Sequence, residues 1–317
     1  MTEPRLIPNR QNELWLNLKP SRREHFLSVM DSILPWKALL SLLEPHFPHS
    51  ANGRPRIELE TLLRCHLLSL FYNLGDEAVE DSIHDSLAFQ KFVGLGTKIL
   101  RVPDERNFRR FREVLNTKDL GKTVLTLVNR SLAERGVKCS TGTMVDATII
   151  PASSSTKNEA KERDPDMGST KKNNNWHFGA KLHVGADVQT RVVHTVSVTS
   201  ASVADVAEGP ELMRPDDTLG LGDKGYAGME PEGCQFHIPL KKNQFSEAAK
   251  EEAKAYNRKV SSLRARVEHV FHVLKCVFGA KRLRYRGLAK NKVRLEFQVA
   301  MANLYLCRKQ LLAAAAV

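Results

Sequence analysis

Apolar positions in the last third of the chain recur every three or four residues. From Val260 to Phe278 they are Val260, Leu263, Val267, Val270, Phe271, Leu274 and Phe278, the spacing of a helix with one buried face. Leu295 to Leu312 repeats the pattern and reads as a packing helix. In the first 135 residues, Glu58 to Leu74 is a helix-favouring apolar run that Gly75-Asp76 stops. Val79 to Val93 predicts one further helix, with Ile83, Leu87, Phe89 and Phe92 inward. Pro103-Asp104 opens another, with Asp104 as N-cap and Phe108, Phe111, Val114 and Leu115 on the buried side. The character changes near Gly142. Thr143 to Ile150 is β-branched and strand-like. A polar segment, Ala152 to Asn175, follows. Trp176 to Asp187 and Arg191 to Thr199 then predict a hairpin turning near Asp187-Val188-Gln189. Val203 to Met213 reads as a short helix, Asp217 to Gly222 and Phe236 to Leu240 as strands, and about Phe245 to Phe278 as helix. The chain thus predicts a helical part, residues 1–135, and a mixed α/β part, residues 136–317, without internal repeats.

Composition adds a partner class. The 317 residues carry a net charge of +12, with 42% hydrophobic and 26% charged residues. That is an ordinary soluble composition with an extraordinary charge, and it predicts attraction to polyanions, nucleic acid first. No apolar run approaches the roughly 18 residues that would span a bilayer, and the N-terminus lacks the apolar core of a signal peptide. Five scattered cysteines without a CxxC pair predict free thiols in a reducing compartment, without structural zinc.

Three carboxylates carry the candidate chemistry. Asp146 sits inside an apolar strand, where an unpaired carboxylate is costly. Asp223, in LGLGDKGY, ends a strand between glycines, and strand ends are where α/β sheets place their sites. Glu268 lies on the Val260–Phe278 helix. At about 100° per residue, Arg264, Glu268 and Lys275 fall on one stripe of it. Each acid alone has a plain alternative: a satisfied strand carboxylate, a turn cap, a helix-surface ion pair. Together they would hold Mg2+ or Mn2+, hard cations that prefer carboxylate oxygen. Two such ions can drive phosphodiester chemistry without a protein nucleophile. His177, His183, His269 and His272 fit no zinc spacing.

These residues resemble the DDE transposases of bacterial insertion sequences, most closely the group typified by insertion sequence 5. The resemblance covers nearly the whole chain and is strongest from Gly142 to Gly287. The family's first acid matches Asp146 in VDATII, the second Asp223 in GDKGY, and the third Glu268 in RARVEHVFHVLK. The 44 residues between Asp223 and Glu268 leave no room for the β-rich insertion of other subgroups. The third-acid motif is Tyr, two residues, Arg, three residues, Glu, six residues, Lys. Arg264, Glu268 and Lys275 fit it; Ser261 stands where the Tyr would be. The resemblance implies an RNase H-like catalytic domain without large insertion, preceded by an all-α N-terminal DNA-binding domain. It implies two Mg2+ ions per active site, with Mn2+ able to substitute, held by Asp146, Asp223 and Glu268 with Arg264 and Lys275 in support. It further implies hydrolytic cutting at the ends of a mobile element and joining of the freed 3′-hydroxyl to target DNA. The expected partners are double-stranded DNA and a second copy of the chain on that DNA. No membrane and no small-molecule cofactor are expected, and the expected location is the bacterial cytoplasm, at the nucleoid.

Candidate DNA contacts follow. Ala280 to Arg294 holds seven basic residues and no acidic one. Lys281, Arg282, Arg284 and Arg286, with Tyr285 for stacking, make a phosphate-binding strip. Lys171, Lys172, Trp176 and Lys181 belong to the block TKKNNNWHFGAK around the second predicted strand, and the polar segment before it is expected to order on DNA. Lys224 and Arg266 flank the acids. Arg109 and Arg112 come from the arginine-rich VPDERNFRRFREVL, read either as part of a helix-turn-helix or as a solvated face of a bundle. Trp176 is open between base stacking and core packing. Two rival functions stand beside transposition: a nuclease of the same fold that cuts without joining, and a catalytically inactive DNA-binding protein derived from a transposase.

Overall fold

Strand β1 (Gly142–Pro151) forms where β-branched and apolar residues alternate without a helix former's spacing, and the rest of the sheet assembles on its two edges. A computed structural model describes residues 19–47, 57–96, 101–159, 161–240 and 247–315. Strand β2 is Gly168–Lys172, β3 Asn175–Asp187, β4 Val193–Ser200, β5 Leu219–Leu221 and β6 Gln235–His237. β3 runs antiparallel to β1 along nine paired positions, Thr143–Asp187 to Pro151–Gly179. β4 and β2 pair antiparallel with β3. β5 and β6 lie beyond β1 and run parallel to it. An antiparallel meander followed by two parallel strands, with helices on both faces, is the RNase H-like arrangement.

The helices preceding the sheet are α1 (Arg22–Ile33), α2 (Trp36–Leu43), α3 (Leu59–Phe71), α4 (Asp76–Asp85), α5 (Leu87–Val93), α6 (Glu105–Thr117) and α7 (Leu120–Glu134). The helix expected over Val79 to Val93 is two, because Ser86 is extended (φ −115°, ψ 112°) and separates α4 from α5. Asp104 caps α6, its carboxylate accepting from Asn107 N at 3.0 Å. After β4 come α8 (Asp205–Leu212), α9 (Glu247–Arg264), α10 (Glu268–His272) with a π-helical turn over Val273–Val277, and α11 (Leu288–Ala315).

α11 joins the two parts of the chain. It packs on α7, α1 and β4, and one hydrophobic core runs from Leu27 through Phe71 and Phe111 to Phe297 and Leu311. Buried polar side chains pin this junction. The Arg294 guanidinium donates to Ser69 O at 2.7 Å, and Asn303 Nδ2 donates to Asn129 Oδ1 at 2.8 Å. Residue 135 therefore marks the change from helix to strand, while the core continues across it. No single helix among the described residues is long and apolar enough to cross a membrane.

The segment expected to order on DNA has regular structure and fixed contacts among its described residues. β2 lies within it, and Asp164 and Asp166 accept from Gly287 N and Leu288 N, satisfying the donors at the start of α11. The two-residue turn joining β2 to β3, Asn173-Asn174, has both φ values positive (50° and 62°), a backbone that Asn tolerates and tight hairpins use.

Candidate active site

The β1–β5 register brings two of the three acids together. The pairs Gly142–Leu219, Thr143–Gly220 and Met144–Leu221 are parallel. Asp146 and Asp223 each lie two residues past the last pair, so alternation puts both on the Met144 side of the sheet at one level. Asp223 keeps extended backbone (φ −85°, ψ −177°), and its Oδ1 accepts from Gly225 N at 2.7 Å. A Cβ at Gly225 would stand 2.9 Å from that oxygen, so a larger residue there would push the Asp223 carboxylate aside.

Asp146 is the more enclosed of the pair, with 15% of its side chain exposed. Its Oδ1 accepts from Ala147 N at 2.8 Å, and its Oδ2 lies 3.4 Å from Arg264 Nη1. Burial pushes its pKa up to about 6, against the Ala147 hydrogen bond and the Arg264 charge; the Asp223 carboxylate pushes it the same way as burial does. A desolvated carboxylate beside a second one is a site that gains from a hard divalent cation, and Asp146 and Asp223 fit that role.

Glu268 stands apart. Its side chain is exposed, and among the described residues no three His, Cys, Asp or Glu side chains come together as a metal-holding group. The two cations of its stripe do face β1. Arg264 meets Asp146, and Lys275 Nζ donates to Thr148 Oγ1 at 2.6 Å and Ile149 O at 2.9 Å. Burial and the charge of Lys172 lower the Lys275 pKa. Lys275 thus gives two of its three donors to β1.

The expected DNA contacts divide into exposed and enclosed. Lys171, Lys172, Lys224, Lys281, Arg282, Arg284 and Arg286 are exposed, as are Arg109 and Arg266. The Arg266 guanidinium donates to Val188 O at 3.0 Å. Trp176 is 71% exposed and sits opposite Lys171 on the hairpin, so it is not core. Lys172, on the same hairpin, is close enough to Asp146 to stabilise its charged form. Leu283 N donates to Pro151 O, which runs the Lys281–Arg286 strip past the end of β1.

Three placements correct the sequence reading. Lys181 is 9% exposed and donates to Val203 O at 2.6 Å beside the Asp205 carboxylate at 2.9 Å; β3 is covered on both faces there, so it has no path to a phosphate. Arg112 is paired with Asp76 and lies over the Tyr285 ring at 4.7 Å. Tyr285, expected as a stacking aromatic, is held between Arg112 and Arg294. One residue outside the sequence-based set also belongs to the surroundings of the site. Asp205, in the first turn of α8, approaches the Asp223 loop at Gly225; its position just after a strand, opening a helix, is the signal that sequence offers for it.

The family model described as "Transposase DDE domain" matches residues 138–304, and that described as "Transposase domain (DUF772)" matches residues 16–114. The fold is similar to that of a piggyBac transposase solved by cryo-EM as a synaptic complex with hairpin DNA. The TM-score is 0.50 at 10% identity, over 91% of this chain and 74% of that one. The first match spans more than half of the chain and contains Asp146, Asp223 and Glu268, and on that ground the chain belongs to the transposase DDE domain family.

Proposed function

We propose that the protein binds the ends of its mobile element, cuts there by hydrolysis, and joins the freed 3′-hydroxyl ends to target DNA. The observation that carries this reading is the Asp146–Asp223 pair, level on adjacent parallel strands, with one member desolvated. In this reading Asp146 and Asp223 hold Mg2+ or Mn2+, and Glu268 is the third acid. A pair of such ions, when bound, supplies a water or hydroxyl activated for attack and stabilises the leaving oxygen. The chain's own residues do the rest. Arg264 fixes the orientation of the Asp146 carboxylate. The Lys281–Arg286 strip and the Lys171–Lys172 hairpin, both near the Pro151 end of β1, bind phosphate, which positions the strand without reading its sequence. Trp176, exposed beside Lys171, offers a face for a base. Lys224, Arg266 and Arg109 extend the basic surface, and the helices before residue 135 supply the remaining DNA contacts. Two element ends must be brought together, so the working unit is a homodimer on DNA.

The test is strand cleavage on labelled duplex spanning the gene's own flanks, with Mg2+ or Mn2+. Nicks at fixed positions with 3′-hydroxyl ends, followed by joined products, are expected, and Asp146→Asn should abolish both while retaining DNA binding. Nicks without joining would favour a nuclease, and binding without nicks a DNA-binding protein that no longer cuts.

A further inference from the structure

From Lys281 to Gly287 the chain has no regular secondary structure, and its side chains divide by position. Leu283 and Tyr285 are half-buried, while Arg282, Arg284 and Arg286 are exposed. The backbone beneath the arginines is held on both sides. Leu283 N donates to Pro151 O at 2.9 Å, which ties the segment to β1. The buried Asn291 side chain accepts from Tyr285 N at 3.2 Å and donates to Tyr285 O and Gly287 O, each at 2.7 Å. Those bonds tie it to the first turn of α11.

The ring of Tyr285 makes a third attachment, to the helical part of the chain. The Arg112 guanidinium of α6 lies over it at 4.7 Å and that of Arg294 at 5.7 Å, with Arg294 Nη1 donating to the hydroxyl at 3.3 Å. Burial lowers the Arg294 pKa, and the charges of Arg284 and Arg112 lower it further, so the segment gathers cations that repel one another. An electron-rich ring lets like charges share this place, and Asp76, paired with Arg112, supplies a counter-charge. Arg109, three residues before Arg112, lies on the same side of α6 and is exposed. Arg284 passes the start of α4, its Nη2 3.6 Å from where a Cβ on Gly75 would stand. Exposed cations of the helical part and of the catalytic part therefore meet at Tyr285.

We propose that Tyr285 is a positioning residue: it locks Arg282, Arg284 and Arg286 to the α6 surface that carries Arg109, so that one duplex is gripped by both parts of the chain at once and the cut falls at a fixed distance from that grip. The ring does not touch DNA; it acts through the arginines on either side of it. The bond from Leu283 to Pro151 ties the same segment to the strand of Asp146, which is how a grip on phosphates sets the place of the acids. The inference rests on the reading of the protein as one that binds and cuts the ends of its element.

The test compares the full chain with Tyr285→Leu, Tyr285→Phe and Arg112→Gln on labelled duplex carrying the gene's flanks. Hydroxyl-radical footprints are taken with Ca2+, and nick positions are read with Mg2+. In Tyr285→Leu the arginines keep their charge and lose their alignment. Protection by the strip should weaken, affinity should fall by at most about tenfold, and nicks should spread over neighbouring phosphates. Tyr285→Phe keeps the ring and should match the wild type in both readouts. Arg112→Gln leaves the strip itself untouched and should reproduce the leucine variant's effect; it decides alone if circular dichroism shows Tyr285→Leu to be unfolded. A single nick position with an unchanged footprint in these two variants overturns the proposal and leaves the cutting reading intact. A wild type that protects the duplex and never nicks it removes the cutting reading, and the footprints then decide whether Tyr285 aligns the arginines. A wild type that protects nothing removes both.

Discussion

Asp146 costs the metal-free protein stability. Its folded pKa of about 6 exceeds the ordinary 3.8, so the folded state binds its proton more tightly than the unfolded one. Stability from this group is full below pH 3.8 and is lost as pH rises through 6, by an amount on the order of 2–3 kcal/mol. Asp146→Asn should therefore raise the metal-free denaturation midpoint at pH 8, with the gain vanishing near pH 4, as followed by urea titration. Added Mg2+ should stabilise the wild type more than the variant, because only the former has the carboxylate to offer. The two aspartates that the β1–β5 register brings level are legible in the sequence because a charge inside an apolar strand, or between glycines at its end, is chemically conspicuous. Lys181, Arg112 and Tyr285 mislead for the converse reason. Sequence displays a charge or a ring but not its partner, and Asp205, Asp76 and Arg294 lie 24, 36 and 9 residues away.

At the scale of elements, periodicity locates the strands and helices but not their deviations. β2 is invisible to it because its residues are polar and only its pairing with β3 makes it a strand. The stripe that places Glu268 between two cations assumes uniform winding, which the turn after Arg264 does not keep. The contact of α7 with α11 offers a sharper test of packing. A Cβ at Gly121 would meet Val293 O at 2.8 Å and Val293 Cα at 2.9 Å, backbone that cannot swing aside. Gly121→Ala should cost about 1–3 kcal/mol by urea denaturation despite its better helix propensity. Glu296 in the same contact is 1% exposed, and burial raises its pKa to about 7 from 4.5. Its folded form also favours the proton, so stability falls as pH rises from 4.5 through 7. Glu296→Gln should accordingly stabilise the protein at pH 8 and do little at pH 4.

For the whole molecule, the net charge of +12 points to a polyanion before any site is found; of the exposed cations, Lys172 and Lys224 lie near the acid pair and the Lys281–Arg286 strip passes the end of β1. Replacing Lys281, Arg282, Arg284 and Arg286 together by Ala should weaken duplex binding at all sequences alike. The slope of log affinity against log salt should become less negative by about 3–4, roughly 0.9 for each phosphate that the variant no longer neutralises. The continuity of the core across residue 135 is not legible in the sequence, because apolar periodicity marks which face is buried and not which element covers it; α11, from the far end of the chain, covers the N-terminal helices.

The central claim is that Asp146 and Asp223 make one cation site on the edge between β1 and β5. Its most direct test replaces Mg2+ with Fe2+ and uses ascorbate and peroxide to cut the protein backbone next to the bound ion. Fragments ending near residues 146 and 223, competed away by Mg2+ and lost in Asp223→Asn, are predicted. Backbone cuts elsewhere, or cuts at these positions that survive Asp223→Asn, would contradict it.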